Sequence, residues 1–160
     1  MKAPYNVFKK LMFPLVSALF LSAVHAQDQQ ASIKDAVTAK NFIFTPQTML
    51  PTSGPSKQVG GQGYELRISG DSLVSYLPYI GKAYSAPMTN NGGLNFTSTK
   101  FEYVVTDRKK GGWEVSIKPK DVSDFREFAL TVFENGSASL RAISNNRQPI
   151  SFNGDAKPAK

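Results

Sequence analysis

FALTVFENGSASLRAIS, residues 128–144, places Asn135-Gly136 between two runs of alternating residues. Phe128, Leu130 and Val132 share one face of the first run, with Ala129, Thr131 and Phe133 on the other. In the second run, Ala138, Leu140 and Ala142 repeat the two-residue period of a strand with one buried face. Both turn residues tolerate positive φ, which predicts a β-hairpin closed by a type I′ turn. Two such strands cannot bury a core alone, so the flanking sequence must supply partners of the same kind.

It does so in both directions. Towards the N-terminus, Trp113, Val115 and Ile117 alternate with Glu114, Ser116 and Lys118. Before them, Leu94 and Phe96, then Phe101, Tyr103 and Val105, are expected to form one strand with a bulge near Thr99. The turn at 107–112 makes the tip of this long hairpin basic, with Arg108, Lys109 and Lys110. Tyr64, Leu66 and Ile68 alternate with Glu65, Arg67 and Ser69, and Gly70-Asp71 turns the chain into Leu73, Ser75 and Leu77. Residues 41–45 read as a strand stopped by Pro46, and Ile150 with Phe152 as a last short strand, Pro149 marking an edge. Ile33, Ala36, Val37 and Lys40 have helical spacing behind a Ser32/Asp35 capping pattern, so a short helix should cover one end of the sheet.

The predicted fold is mainly β: an antiparallel meander of about eight short strands, barrel-like or a sandwich, preceded by one short N-terminal helix. Hairpin-length connections leave no room for parallel crossovers. Residues 27–153 are expected to form a single β-rich domain, and the polar tail 154–160 to be disordered. Between Gln47 and Gly63 the sequence is rich in Pro, Gly, Ser and Thr and is expected to be a mobile loop.

Residues 1–26 carry the pattern of a secretory signal. Lys2, Lys9 and Lys10 lead, residues 11–24 are apolar, and Val24-His25-Ala26 predicts a cut after Ala26. The apolar stretch is short for a membrane span, so no transmembrane segment is expected after cleavage, and the mature chain should be periplasmic or secreted. Sixteen Lys and Arg then face twelve Asp and Glu, and the net charge of +7 falls to +4. The excess at residues 108–110 is too short a run for nucleic acid and suits a solvated hairpin tip. Cysteine is absent and the one histidine, His25, departs with the signal. That removes Ser-His-Asp and Cys-His catalysis, thiolate metal sites and disulfides. No cofactor or metal is expected. Asp121 and Asp124 would offer two oxygens from one turn, far fewer than calcium takes.

The candidate binding residues lie in GDSLVSYLPYIGKAYSAP, residues 70–87, and in Asn145-Asn146-Arg147. Tyr76 stands just before Pro78, and Tyr79, Lys82 and Tyr84 put two phenols and one cation in the stiff stretch between Pro78 and Pro87, suited with Tyr76 to a glycan, a peptide or a small ligand. The structural alternative is that the same residues close one end of the sheet through hydroxyl-to-backbone hydrogen bonds. Arg147 beside two amides suits a carboxylate or phosphate, or an internal pair with Asp71 or Asp155. Binding of an envelope protein, glycan or small ligand, with the 47–63 loop contributing, is the expected role. The alternative is a hydrolase of an envelope glycan, pairing Asp71 with Glu65, Glu102 or Glu114, although those glutamates alternate with apolar residues as an exposed face would. Strand addition at an edge near Phe42 or Ile150 is a further possibility that the flanking prolines oppose.

Several short motifs follow in a fixed order: Asn41-Phe-Ile-Phe, Gly70-Asp71-Ser72, Leu77-Pro78-Tyr79-Ile80-Gly81-Lys82-Ala83-Tyr84 and Gly93-Leu94-Asn95-Phe96. Trp113-Glu114-Val115, Asn135-Gly136-Ser137-Ala138 and the run 144–152 complete it. This order resembles a family of secreted proteins from Bacteroidota known only as domain of unknown function 4251. The resemblance implies a Gram-negative envelope location and a single domain, and carries no catalytic or binding residue.

Overall fold

The computed structural model describes residues 33–84 and 93–159. The signal-like segment, Ser32, Pro87 and residues 90–92 lie outside the described residues. A six-residue helix, α1 (33–38), leads into ten strands, all paired antiparallel. They are β1 (Asn41–Pro51), β2 (Lys57–Gln58), β3 (Glu65–Ser69), β4 (Ser72–Leu77), β5 (Leu94–Ser98), β6 (Phe101–Asp107), β7 (Trp113–Pro119), β8 (Phe125–Val132), β9 (Ser137–Ser144) and β10 (Ile150–Pro158). The spatial order β5-β4-β3-β1-β10-β9-β8-β7-β6 curls into a nearly closed barrel, with β2 attached to β1.

The alternation read from the sequence sets the barrel interior. Phe42, Phe44, Leu66, Ile68, Leu73, Leu77, Ile117, Phe128, Leu130, Leu140 and Phe152 are all buried. Phe128 stacks on Phe96 at 5.9 Å and meets Phe125 at 4.2 Å between ring centroids, so rings from β5 and β8 join across the interior. Ile33, Ala36 and Val37 of α1 are buried with this core. The Tyr103 hydroxyl donates to the Val37 carbonyl at 2.6 Å, and its burial pushes the phenol pKa well above its ordinary value. This fixes α1 against β6, in the covering role its sequence suggested.

Ten strands stand where about eight were expected, for two local reasons. The stretch 94–105 is two strands, not one with a bulge. Asp121 caps the corner between them, accepting from the Ser98 hydroxyl and, at 3.0 Å, from the Thr99 N–H. β5 and β6 do not pair, so this corner joins the two ends of the sheet. The second reason is β2: its two residues pair with Thr48 and Met49 inside the expected loop. Residues 47–51 belong to β1, and the buried Val59 donates its N–H to the Gln47 carbonyl at 2.9 Å.

Four further expectations need correction. Pro46 does not end its strand, because a bulge between Pro46 and Thr48 absorbs the missing donor. β1 and β10 are not edges: each lies between two other strands, and the sheet ends are β5 and β6. The expected disordered tail is ordered as far as Pro158, since residues 154–158 continue β10 and pair with residues 42–46. At Asn135-Gly136 only Gly136 takes positive φ, 83°. The Gly136 N–H donates to the Phe133 carbonyl and the Phe133 N–H to the Ser137 carbonyl, a type I turn with a glycine bulge instead of type I′.

The Asp121 corner makes stability depend on acid. Hydrogen bonds from Ser98, then from Thr99, hold its carboxyl below the ordinary 3.8. A depressed folded-state pKa stabilises the fold above the unfolded value and loses that contribution as the pH falls through the folded one. Urea midpoints of the wild type and Asp121→Asn should differ at about pH 6 and converge as the pH drops below about 4. A gap that stays constant into strong acid would show that the charge on Asp121 is immaterial.

Candidate functional site

Pro78 ends β4 as expected, and the segment after it is stapled to the stretch before β10. The Tyr84 N–H donates to the Asn146 carbonyl at 2.7 Å and the Gln148 N–H to the Lys82 carbonyl at 3.0 Å. The Lys82 N–H reaches Gln148 Oε1 at 3.2 Å, and Ala83 forms a lone antiparallel bridge with Arg147. Tyr79 directs its hydroxyl at the carbonyls of Lys82 and Gln148, each 3.1 Å away. Burial raises the Tyr79 pKa, opposed by the nearby Arg147 charge, so the phenol stays protonated and a donor at neutral pH.

Arg147 lies behind this staple and is 5% exposed. One terminal nitrogen donates to the Gly93 carbonyl at 3.1 Å, Nε lies 3.7 Å from Asp124 Oδ2, and the guanidinium sits 5.2 Å from the Tyr79 ring centroid. Asp124 also accepts from Asn146 Nδ2 at 3.0 Å, and Asn145 Nδ2 donates to the Ser123 carbonyl at 2.8 Å. A planar cation meets a carbonyl, a carboxylate and a ring face together here, a combination that suits Arg and not Lys. The internal partner is Asp124, in place of the Asp71 or Asp155 expected from sequence.

The five candidate residues therefore separate into two groups. Tyr79 and Arg147 form the lock, to which Lys82 contributes backbone while remaining exposed. Tyr84 is held by its backbone and is 71% exposed. Tyr76 belongs to the outer face of β4, 48% exposed, with its ring centroid 5.4 Å from that of Tyr64. Beside this pair lies a cleft of about 440 Å³ lined by Tyr64, Tyr76, Pro78, Tyr79, Gly93 and Asn95, together with Leu77. Asn95 is the cross-strand partner of Tyr76 on β5.

Asn95 and Gly93 also line a second, smaller cavity of about 50 Å³ that reaches Arg147 and Asp124. Asn95 Oδ1 is buried and has no hydrogen-bond partner among the described residues. Leaving such an acceptor unpaired costs about 1–3 kcal/mol, and native folds keep few of them. Sequence reasoning does not single out Tyr64 or Asn95 as site residues. Tyr64 sits next to Glu65, the partner of Tyr76, so its position is implicit in the β3–β4 register. Asn95 follows a long connection, and no local signal fixes its register.

The carboxylates considered for hydrolysis are engaged elsewhere. Glu65 pairs with Arg67 at 3.1 Å, Glu102 with Lys120 at 3.1 Å and Glu114 with Arg108 at 3.5 Å, while Asp71 occupies the β3–β4 turn. Lys120 holds the Glu102 carboxyl below its ordinary pKa by hydrogen bond and charge. Asp121 and Asp124 face different partners, Ser98 and Asn146, and among the described residues no cluster of three or more metal-ligating groups occurs. No helix among the described residues is long and apolar enough to cross a membrane.

No curated protein matches the chain. Its fold is similar to that of a DUF4251 family protein from Bacteroides eggerthii solved by crystallography, with a TM-score of 0.62 at 15% identity. That likeness covers 81% of this chain and 87% of the other. The model of the family described as "Domain of unknown function (DUF4251)" matches residues 25–156, and the chain belongs to that family.

Proposed function

We propose that the protein is a ligand-binding β-domain of the periplasm or cell exterior, and that the ligand docks in the outward cleft between Tyr64, Tyr76, Tyr79 and Asn95. The observation that carries this is the cleft itself, walled by the half-exposed Tyr76 ring and by the partly buried rings of Tyr64 and Tyr79. Arg147 keeps one wall of the cleft preorganised by holding Tyr79, which lowers the cost of ordering on binding. The lysine-led apolar N-terminus supports export. Binding is favoured over glycan hydrolysis because Glu65, Glu102 and Glu114 are ion-paired on three separate strands.

The test is amide mapping by NMR of the labelled domain against a mixed library of saccharides, peptides and small metabolites. Ligands should shift the amides of Tyr64, Tyr76, Tyr79 and Asn95 first. Tyr76→Ala should weaken such a ligand by about tenfold, the value of one aromatic face. The exposed position should leave stability within about 0.5 kcal/mol. Shifts gathered instead at the 108–110 hairpin tip, or no loss of affinity in Tyr76→Ala, would remove the cleft from consideration.

A further inference from the structure

We infer that the free edge of β6 is a docking site for an extended, acidic segment of a partner protein, which adds to the barrel as a further antiparallel strand; this surface is separate from the tyrosine cleft. Hydrogen bonds at the two ends of the β6–β7 pair give the phase of the ladder. The Lys120 N–H donates to the Lys100 carbonyl at 2.7 Å, and the Arg108 N–H to the Gly112 carbonyl at 3.1 Å. Bonded residues alternate along an antiparallel pair, so Glu102, Val104 and Thr106 direct their N–H and C=O groups at β7. Phe101, Tyr103, Val105 and Asp107 direct theirs the other way, and β6 ends the sheet, so these groups meet no strand among the described residues. Pro119 fits the same phase: it stands opposite Phe101, where its missing N–H costs no bond to β6.

The side chains show the same opening. Val115 and Ile117 of β7 are buried, whereas Phe101, Tyr103 and Val105, which face the same interior, remain only partly buried. Val104 on the outer face is 47% exposed. Between Phe101 and Val105 the strand has no proline and no inward-pointing charge, two of the devices that keep an edge from pairing. β5, the other end of the sheet, is shorter, and its C-terminal corner is closed by Asp121. A strand laid along β6 with apolar residues opposite Phe101, Tyr103 and Val105 would cover these side chains and satisfy the edge groups together.

Charge selects the occupant. Residues 100–110 hold four Lys and Arg against two acids. Glu102 is paired with Lys120 and Arg108 with Glu114, so the strand is flanked by exposed Lys100 at one end and by exposed Lys109 and Lys110 at the other. A second copy of the chain fits this poorly, because β6 paired antiparallel with itself in full overlap would set Lys100 against Arg108 at both ends. An acidic segment brings carboxylates to both ends instead. The partner is therefore an extended stretch of about seven residues, the length of β6, with apolar side chains at alternate positions and Asp or Glu beyond each end.

The probe is the peptide Asp-Asp-Val-Thr-Val-Thr-Val-Asp-Asp, titrated into the isotope-labelled protein and followed by NMR and amide hydrogen exchange. Without peptide, the amides of Phe101, Tyr103, Val105 and Asp107 should exchange fast, and those of Glu102, Val104 and Thr106 slowly. Saturating peptide should slow the first set by about tenfold or more and leave the second as it was. Replacing the peptide's Asp residues by Lys should weaken it about tenfold, a gap that closes in high salt. Methylating its central Val nitrogen, which faces β6, should cost about fivefold or more, whereas methylating a Thr nitrogen, which faces away, should not. Tyr76→Ala should leave the peptide's affinity unchanged, since the cleft takes no part. Equal binding of the Lys-flanked peptide would overturn the acidic assignment, and no protection at these amides up to millimolar peptide would overturn the site. Slow exchange of the first set in the free protein would overturn it too: release on dilution would put a second copy on the edge, and protection independent of concentration would put other residues of the chain there.

Discussion

Gly154→Ala should destabilise the protein by about 3 kcal/mol, the upper end for an overpacked site whose neighbours cannot move aside. Gly154 pairs with Pro46 of β1 on one side and Ala138 of β9 on the other, at the centre of the sheet. A methyl group there would lie 2.9 Å from Pro46 Cα and closer still to the Thr45 carbonyl oxygen. Both neighbours are backbone, fixed by the bulge that lets Pro46 occupy a central strand, so relief requires prising β1 from β10. Asn153→Ala, at the exposed position before it, should cost no more than about 0.5 kcal/mol. Urea denaturation followed by circular dichroism compares the two. Equal midpoints would mean that β1 and β10 do not approach this closely. The same geometry implies that a chain cut after Asn153 should not fold, because it lacks the buried Ala156 and the partners of Phe42, Phe44 and Pro46.

A residue of such consequence lies in a stretch that the sequence suggests is disordered, and the reason is physical. Apolar alternation is legible where one strand face is buried and the partner strand comes next in sequence. Leu66 and Ile68 with Leu73 and Leu77, or Val115 and Ile117 with Phe128 and Leu130, follow from local hairpins of that kind. The stretch 154–158 has only Ala156 facing the core, and its pairing partner begins more than a hundred residues earlier, so no local pattern announces it. Pro46 misleads in the opposite sense, since the bulge that tolerates it depends on β10. The candidate site divides along the same line. Tyr76, Tyr79 and Arg147 are visible as residue types, whereas the pairing of Arg147 with Asp124 and the place of Asn95 beside Tyr76 exist only once distant strands are in register.

Arg147→Ala should be the most damaging change near the cleft, costing about 2–4 kcal/mol, because it removes a buried side chain together with its hydrogen bond and its contact with a partly exposed carboxylate. It would leave the Asp124 carboxylate and the Gly93 carbonyl without the guanidinium and strip one face of the Tyr79 ring. Arg147→Lys should recover only part of this, because an ammonium cannot donate to Gly93 and lie flat on Tyr79 together. The damage should also be local. The Tyr84 and Gln148 amides, whose hydrogen bonds staple residues 82–84 to 146–148, should exchange faster than those of β8 and β9, which belong to the barrel proper. Pairing Arg147→Ala with Asp124→Ala supplies the control, since neighbours sharing a partner should show a coupling of about 1 kcal/mol or more. Additive losses would mean that Arg147 acts by packing alone. A uniform rise in exchange across all strands would make it part of the global core, and the cleft wall would then have no separate stability for a ligand to draw on.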